Sequence, residues 1–231
     1  MDTLYNLSTE MIRNIYERRI SGPPVLDVAS HFPDARRFVE AWPELRDEAI
    51  QVAQDLQRVP RFHELMPEQA AISANDDRDW RMFVLKAYGV SVRKNSARCP
   101  LLAALISSVP DVLSAALSFL APGKYVPRHR GPFRGVIRFY LGLSVPISEN
   151  GRPAAVLTID NREYRIGNGE YLLWDDTFPH EVWNHSENGR IALLLDVRRR
   201  GMPLDMALLS RVLIAAIGAS VRLRNISWHR D

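Results

Sequence analysis

The chain has 231 residues, 46% hydrophobic and 25% charged, and 30 basic against 27 acidic side chains give a formal net charge of +3. A chain of this length buries a core without covalent help, and its single cysteine excludes an internal disulfide. The basic residues are scattered, which excludes a nucleic-acid groove as the organising feature.

In chain order, MDTLYNLSTEMIRNIYERRI carries Ile12, Ile15, Tyr16, Arg19 and Ile20 at helical spacing and lacks the apolar run of a secretory signal. The expected location is therefore cytoplasmic. Paired prolines in SGPPV end this helix, because proline cannot continue the ladder. A second helix is predicted from Trp42-Pro43, with proline tolerated in the first turn and an apolar stripe of Leu45, Ala49, Val52 and Leu56. NDDRDWRMFVLKAYG reads as a polar turn and then a short strand-like run ending at Gly89. CPLLAALISSV reads as a further helix stopped by Pro110, with Cys99 a small buried side chain.

From Ser114 the period becomes two, through SAALSFL, GVIRFYLGL, AAVLTID, EYRI, EYLLW, HEVWN and IALLLDV. Turns rich in Gly, Pro, Asn and Asp separate these runs, which predicts an antiparallel sandwich or barrel. Last comes ALLSRVLIAAIGASV, interrupted by Arg211 and too short to span about 30 Å of hydrocarbon. It is expected to dock on the domain, without stable membrane insertion. The predicted organisation is a helical N-terminal region over 1–110 packed on the barrel, a β core over 111–200, and a C-terminal helix and tail over 201–231.

Alternation assigns faces. Ile137, Phe139, Leu141 and Leu143 point one way, and Val136, Arg138 and Tyr140 the other. Ile191, Leu193, Leu195 and Val197 form an apolar face opposite Arg190, Ala192, Leu194 and Asp196. Ser114 and Ser118 lie on the small, polar side of their strand. Arginines among apolar neighbours in mid-strand suit a barrel interior that holds a small anion.

Of six histidines, His31, His63, His185 and His229 fall in polar loops or the tail, where solvated side chains are expected. His129 closes LAPGKYVPRH at the mouth of a strand and His180 opens HEVWN. On neighbouring strands their imidazoles could converge on iron, zinc, copper or nickel, or each could satisfy a local hydrogen bond. A zinc hydrolase fits poorly, with two histidines and no clear third ligand.

FLAPGKYVPRHRGPFRGVIRFYLGL and GEYLLWDDTFPHEVWNHSENGRIALLLDV, with the upstream DDRDWRMFVLKAYG and NSARCPLL, resemble the aspartyl/asparaginyl β-hydroxylase family over roughly residues 40–200. The resemblance implies a mainly β fold with flanking helices around a double-stranded β-helix (jelly-roll, cupin-like) core. It also implies an iron(II)- and 2-oxoglutarate-dependent dioxygenase that hydroxylates a C–H bond of an aspartyl-like or other small or carrier-bound substrate. Oxygen is consumed, and succinate and carbon dioxide are released. His129 and His180 then stand as iron ligands, and Arg190 and Ser118 as the grip on the far carboxylate of 2-oxoglutarate. Trp80 stands near the cosubstrate, and Arg138 touches a carboxylate of either cosubstrate or substrate.

Gly131 occupies the place where most non-haem iron oxygenases carry a carboxylate ligand, and the family is similar in this. Asp175 and Asp176 are expected to cap a turn, or else to orient a metal-bound water or His180. Glu181 should face away from His180. Tyr140 replaces a histidine of the animal members, where it can still hydrogen-bond the cosubstrate, and Val136 and Ala116 stand where cations for an acidic substrate are expected. Two alternatives follow. One is an acyl-chain or lipid hydroxylase whose C-terminal segment, with Arg222, Arg224 and Arg230, touches a membrane surface. The other is a catalytically silent β-helix module that binds a small carboxylate.

Overall fold

A computed structural model describes residues 2–223 of the chain, with side chains for residues 8–222. His229, Arg224 and Arg230 lie outside the described residues. The N-terminal third begins with α1 (Asp2–Glu17), α2 (Val28–His31), α3 (Ala35–Glu40), α4 (Trp42–Ala53) and α5 (Phe62–Leu65). The first helix already ends at Glu17, ahead of the prolines at 23 and 24 expected to stop it, and Pro43 sits in the first turn of α4. Leu45, Ala49 and Val52 are buried as the stripe requires, while Leu56 falls in a short 3-10 turn beyond the helix.

Two strands, β1 (Trp80–Ala87) and β2 (Val90–Ser91), are followed by α6 (Arg93–Arg98) and α7 (Pro100–Ser108). β1 pairs along most of its length with β3 (Val112–Leu120), so the region expected to be helical also widens the core sheet. The chain continues through β4 (Tyr125–His129), β5 (Val136–Ser144), β6 (Ala155–Ile159), β7 (Arg162–Tyr164), β8 (Tyr171–Trp174), β9 (His180–Asn184) and β10 (Arg190–Arg198). All seven alternating runs are strands. β4 adds one that Pro127 concealed, because proline interrupts the ladder; the strand lies on a sheet edge, where proline is tolerated.

The strands form a six-stranded sheet, β2-β1-β3-β10-β5-β8, facing a four-stranded sheet, β4-β9-β6-β7, with every pairing antiparallel. From β3 onward the chain winds back and forth between the two sheets, which is the double-stranded β-helix. The two faces of the larger sheet carry different chemistry. Ile137, Phe139, Leu141, Leu143, Ile191, Leu193, Leu195 and Val197 face away from the smaller sheet and pack with Phe38, Leu45, Ala49, Leu102 and Ile106 of the covering helices. Phe32 meets Phe139 edge-on at 5.4 Å. Cys99 is fully buried in this layer, and burial pushes its thiol up to about 12, which makes it a packing group. The opposite face, with Tyr140, Ala192 and Trp174, lines the barrel interior together with Leu157 and Ile159 of the smaller sheet.

The chain then forms α8 (Leu204–Leu223). At 20 residues it is longer than the apolar run that announced it, and at 1.5 Å per residue it extends about 30 Å. One face docks with Tyr16 and Ile20 through Met206 and Ile214, and the Tyr16 and Ser210 hydroxyls are 2.7 Å apart. By length and hydropathy it could cross a membrane, and only 22% of that apolar stretch is buried.

Candidate active site

His129 and His180 are directly opposed in the β4–β9 ladder. Opposed residues project to the same face of a sheet, and the ring centroids lie 4.2 Å apart. Each Nδ1 points to the backbone carbonyl two residues earlier: Pro127 O at 2.7 Å for His129, Phe178 O at 3.0 Å for His180. A carbonyl only accepts, so each Nδ1 carries the proton and each Nε2 keeps a lone pair. Burial lowers both pKa values, His129 to about 4 and His180 well below its ordinary range. The pair is thus neutral at pH 7, as imidazole ligands of a metal must be. Among the described residues no third His, Cys, Asp or Glu joins them in a metal-holding group.

Arg190 opens β10 and is 4% exposed. Its Nη1 donates to Ser118 Oγ at 3.3 Å, and the same oxygen accepts from Trp80 Nε1 at 3.0 Å. Trp80 is held in turn by stacking on Phe62, with ring centroids 4.0 Å apart. Tyr140 lies under the guanidinium, 5.7 Å from Cζ to ring centre. Burial lowers the Arg190 pKa, and Nε has no hydrogen-bond partner. A buried cation with an idle donor is costly unless an anion completes it. Ser118, Trp80, Tyr140 and Arg190 are thus brought into one cluster.

Arg138 is placed differently. Its Nε donates to Asp196 Oδ1 at 2.8 Å, and Nη2 lies 3.4 Å from Asp176 Oδ2. Burial works against its charge, but the two carboxylates raise the pKa above the ordinary value. Asp176 is itself raised to about 7, chiefly by burial, with Arg138 pulling the other way. The Asp175 carboxylate caps the turn through Thr177 N (3.1 Å) and Thr177 Oγ1 (2.6 Å), and it pairs with Arg199 at 2.7 Å. Glu181 accepts from the Tyr125 hydroxyl. Val136 is packed beneath α1 and α8, and His185 stacks on Trp183 at 4.5 Å.

Trp174 was not anticipated. It stands opposite Arg138 in the β5–β8 ladder, meets His180 edge-on at 6.1 Å, and is 3% exposed with its Nε1 unpartnered. Only the register between EYLLW and VIRFYLGL places it there, and one-residue slips of register are invisible in isolated runs. Asp196 was assigned to this face, but its pairing with Arg138 depends on the same kind of register.

The family model for aspartyl/asparaginyl beta-hydroxylase matches residues 39–200. An ornithine lipid ester-linked acyl 2-hydroxylase of Rhizobium tropici is 34% identical over 183 residues, which is 79% of this chain and 63% of that protein. Aspartyl/asparaginyl beta-hydroxylase of Mus musculus is 26% identical over 178 residues, 70% of this chain and 22% of that protein. The chain thus spans less than two thirds of the length of these curated relatives. Among solved structures, a Pseudomonas putida prolyl-4-hydroxylase superposes with a TM-score of 0.46 at 16% identity, covering 70% of this chain and 88% of that one. The motifs, the winding of the two sheets and the match over residues 39–200 agree: the chain belongs to the aspartyl/asparaginyl β-hydroxylase family, a family of hydroxylases.

Proposed function

We propose that the chain is an iron(II)- and 2-oxoglutarate-dependent dioxygenase that hydroxylates a C–H bond of a bound substrate. The carrying observation is the cross-strand pair of neutral imidazoles in the same barrel as a buried guanidinium with an idle donor. The donor set fits the metal, since imidazole suits iron and the Nδ1 bonds to backbone carbonyls leave each Nε2 unprotonated. His129 and His180 would hold the ion, which with 2-oxoglutarate and oxygen would supply oxidation of the C–H bond as succinate and carbon dioxide form.

The protein's own part is binding and orientation. Ser118 fixes one side of the Arg190 fork and leaves Nε for a carboxylate, the planar recognition that arginine provides better than lysine. Trp80 holds Ser118 in place. The Trp174 indole N–H, beside His180, is a second idle donor available to the bound molecule. Trp174, Leu157, Ile159 and Ala192 give the interior apolar walls that keep water out.

For the substrate, an acyl chain is favoured over peptidyl aspartate. Ala116 stands where a cation for an acidic substrate was expected, the interior walls are apolar, and the Rhizobium relative is named for acyl 2-hydroxylation.

The test is uncoupled turnover of 2-oxoglutarate under air, with iron(II) and ascorbate. Wild-type protein is expected to form succinate, a chelator to stop it, and His129→Ala or His180→Ala to abolish it. Full turnover by either variant, or none by the wild type, removes the proposal.

A further inference from the structure

We infer that α8, with α1 beside it, is a docking face for an anionic lipid bilayer, and that Arg198, Arg211 and Arg222 form a pocket for its phosphate groups. The inference stands on the outside of the barrel and does not depend on the oxygenase reading.

The first observation is apolar surface that the fold leaves uncovered. Leu204, Leu208 and Val212 follow one another at intervals of four on α8 and are 89%, 63% and 58% exposed. Met11 and Ile15 of α1 are exposed at the same interval. Large exposed apolar side chains repeated at helical spacing on two packed helices mark a contact surface.

The second is a cavity of about 270 Å³ beside that stripe, which Arg198, Arg211 and Arg222 line together with Tyr88, Ala215 and Ala219. The helix reaches it by close approach: a Cβ on Gly218 would lie 2.7 Å from the Tyr88 carbonyl oxygen. Of the carboxylates near by, Asp111 is 3.9 Å from Arg198 but is held more closely by Arg200, at 2.7 Å. Asp205 is spent on Arg19 at 2.6 Å. Cations beside an apolar helix face suit the boundary between phosphate headgroups and acyl chains.

The helix lies on this surface and does not thread through it. Met206 and Ile214 are buried under α1, and Ser210 is hydrogen-bonded to Tyr16, so crossing the membrane would strip a packed face from the domain. The helix α1 also touches the end of the barrel that carries the histidines. Arg13 of α1 donates to Gly131 O at 3.2 Å, and Glu17 pairs with Arg130, both in the turn after His129.

The test is sedimentation of the full chain with phosphatidylcholine vesicles and with vesicles that also contain phosphatidylglycerol. Binding is expected only to the anionic vesicles, weakening with salt. Arg211→Gln with Arg222→Gln should lower the partition coefficient by about thirtyfold, at roughly 1 kcal/mol per cation. Leu208→Glu should abolish binding. Circular dichroism and uncoupled 2-oxoglutarate turnover in solution should stay at wild-type levels in all variants. Equal binding to neutral vesicles, or none to either kind, overturns the inference. So does vesicle binding that survives these substitutions, or a dimer that Leu208→Glu dissociates. Millimolar inorganic phosphate that binds as well in the absence of vesicles also overturns it, because the pocket would then serve a soluble anion.

Discussion

The carboxylate of Asp176 fills the space where a side chain on Gly131 would begin: a Cβ there would lie 2.2 Å from Asp176 Oδ1. Asp176 cannot simply retreat, because its backbone oxygen accepts from Gly131 N at 2.7 Å and its side chain lies against Arg138. The glycine two residues after His129 is therefore a steric requirement of this site. Gly131→Ala should destabilise the fold by about 1–3 kcal/mol, the cost of overpacking a buried position. Adding Asp176→Gly should recover part of that loss, and denaturant unfolding of the two singles and the double reads the coupling directly. Additive losses would mean that the two residues do not compete for the same space.

Arg190 and Arg138 face the same interior, yet their removal should have opposite signatures. Arg138→Ala leaves the buried Asp176 and the half-buried Asp196 without their shared cation and should cost roughly 1–3 kcal/mol of stability. Arg190→Ala removes a buried cation that has no carboxylate among its electrostatic partners, so the ligand-free protein should melt no lower than wild type. Its effect should fall on 2-oxoglutarate, whose KM should rise by about 10- to 150-fold for the loss of roughly 1.5–3 kcal/mol in a charge-assisted bond. Thermal melts and 2-oxoglutarate titrations of the two variants check both halves.

This contrast marks how far the site could be read from the sequence. Strand period put Ser118, Arg138 and Arg190 each on the cavity-facing side of its own strand, because alternation is a property of a single strand. What each arginine touches depends on its neighbours across the ladder. Asp196 stands opposite Arg138 by the β5–β10 register, and Trp174 stands opposite it by the β5–β8 register. No single run contains either relation. β4 was hidden for a local reason: Pro127 breaks the apolar rhythm of YVPRH, although the edge position makes it harmless. The C-terminal helix was underestimated because its first turn, Leu204-Asp205-Met206, has the charge of a loop and the packing of a helix.

Trp174→Phe keeps a ring beside His180 and deletes the idle N–H. Removing an unsatisfied buried donor stabilises and losing ring volume destabilises, so the melting temperature should change little. Ligand binding should still weaken by about 2- to 12-fold, the worth of one hydrogen bond of roughly 0.5–1.5 kcal/mol. Separate titrations of 2-oxoglutarate and of substrate identify which of them the indole holds. No change in either would leave the indole N–H without a role in binding.

The pH dependence of the chelator-treated protein should expose two titrations of opposite sign. His129, with a folded pKa of about 4 against the ordinary 6.5, binds its proton more readily when unfolded. Stability from this group is complete above pH 6.5 and is lost as pH falls toward 4, by about 3 kcal/mol. His180, lowered further, acts in the same direction. Asp176, raised from 3.8 to about 7, binds its proton more readily when folded. Its contribution is complete below pH 3.8 and is lost as pH rises through 7. The two trends overlap between pH 4 and 6.5 and partly cancel in the wild type. Urea unfolding across that window should therefore show His129→Gln gaining stability toward acid relative to wild type and Asp176→Asn losing it. If both variants instead follow the wild-type curve, neither group titrates as its burial demands.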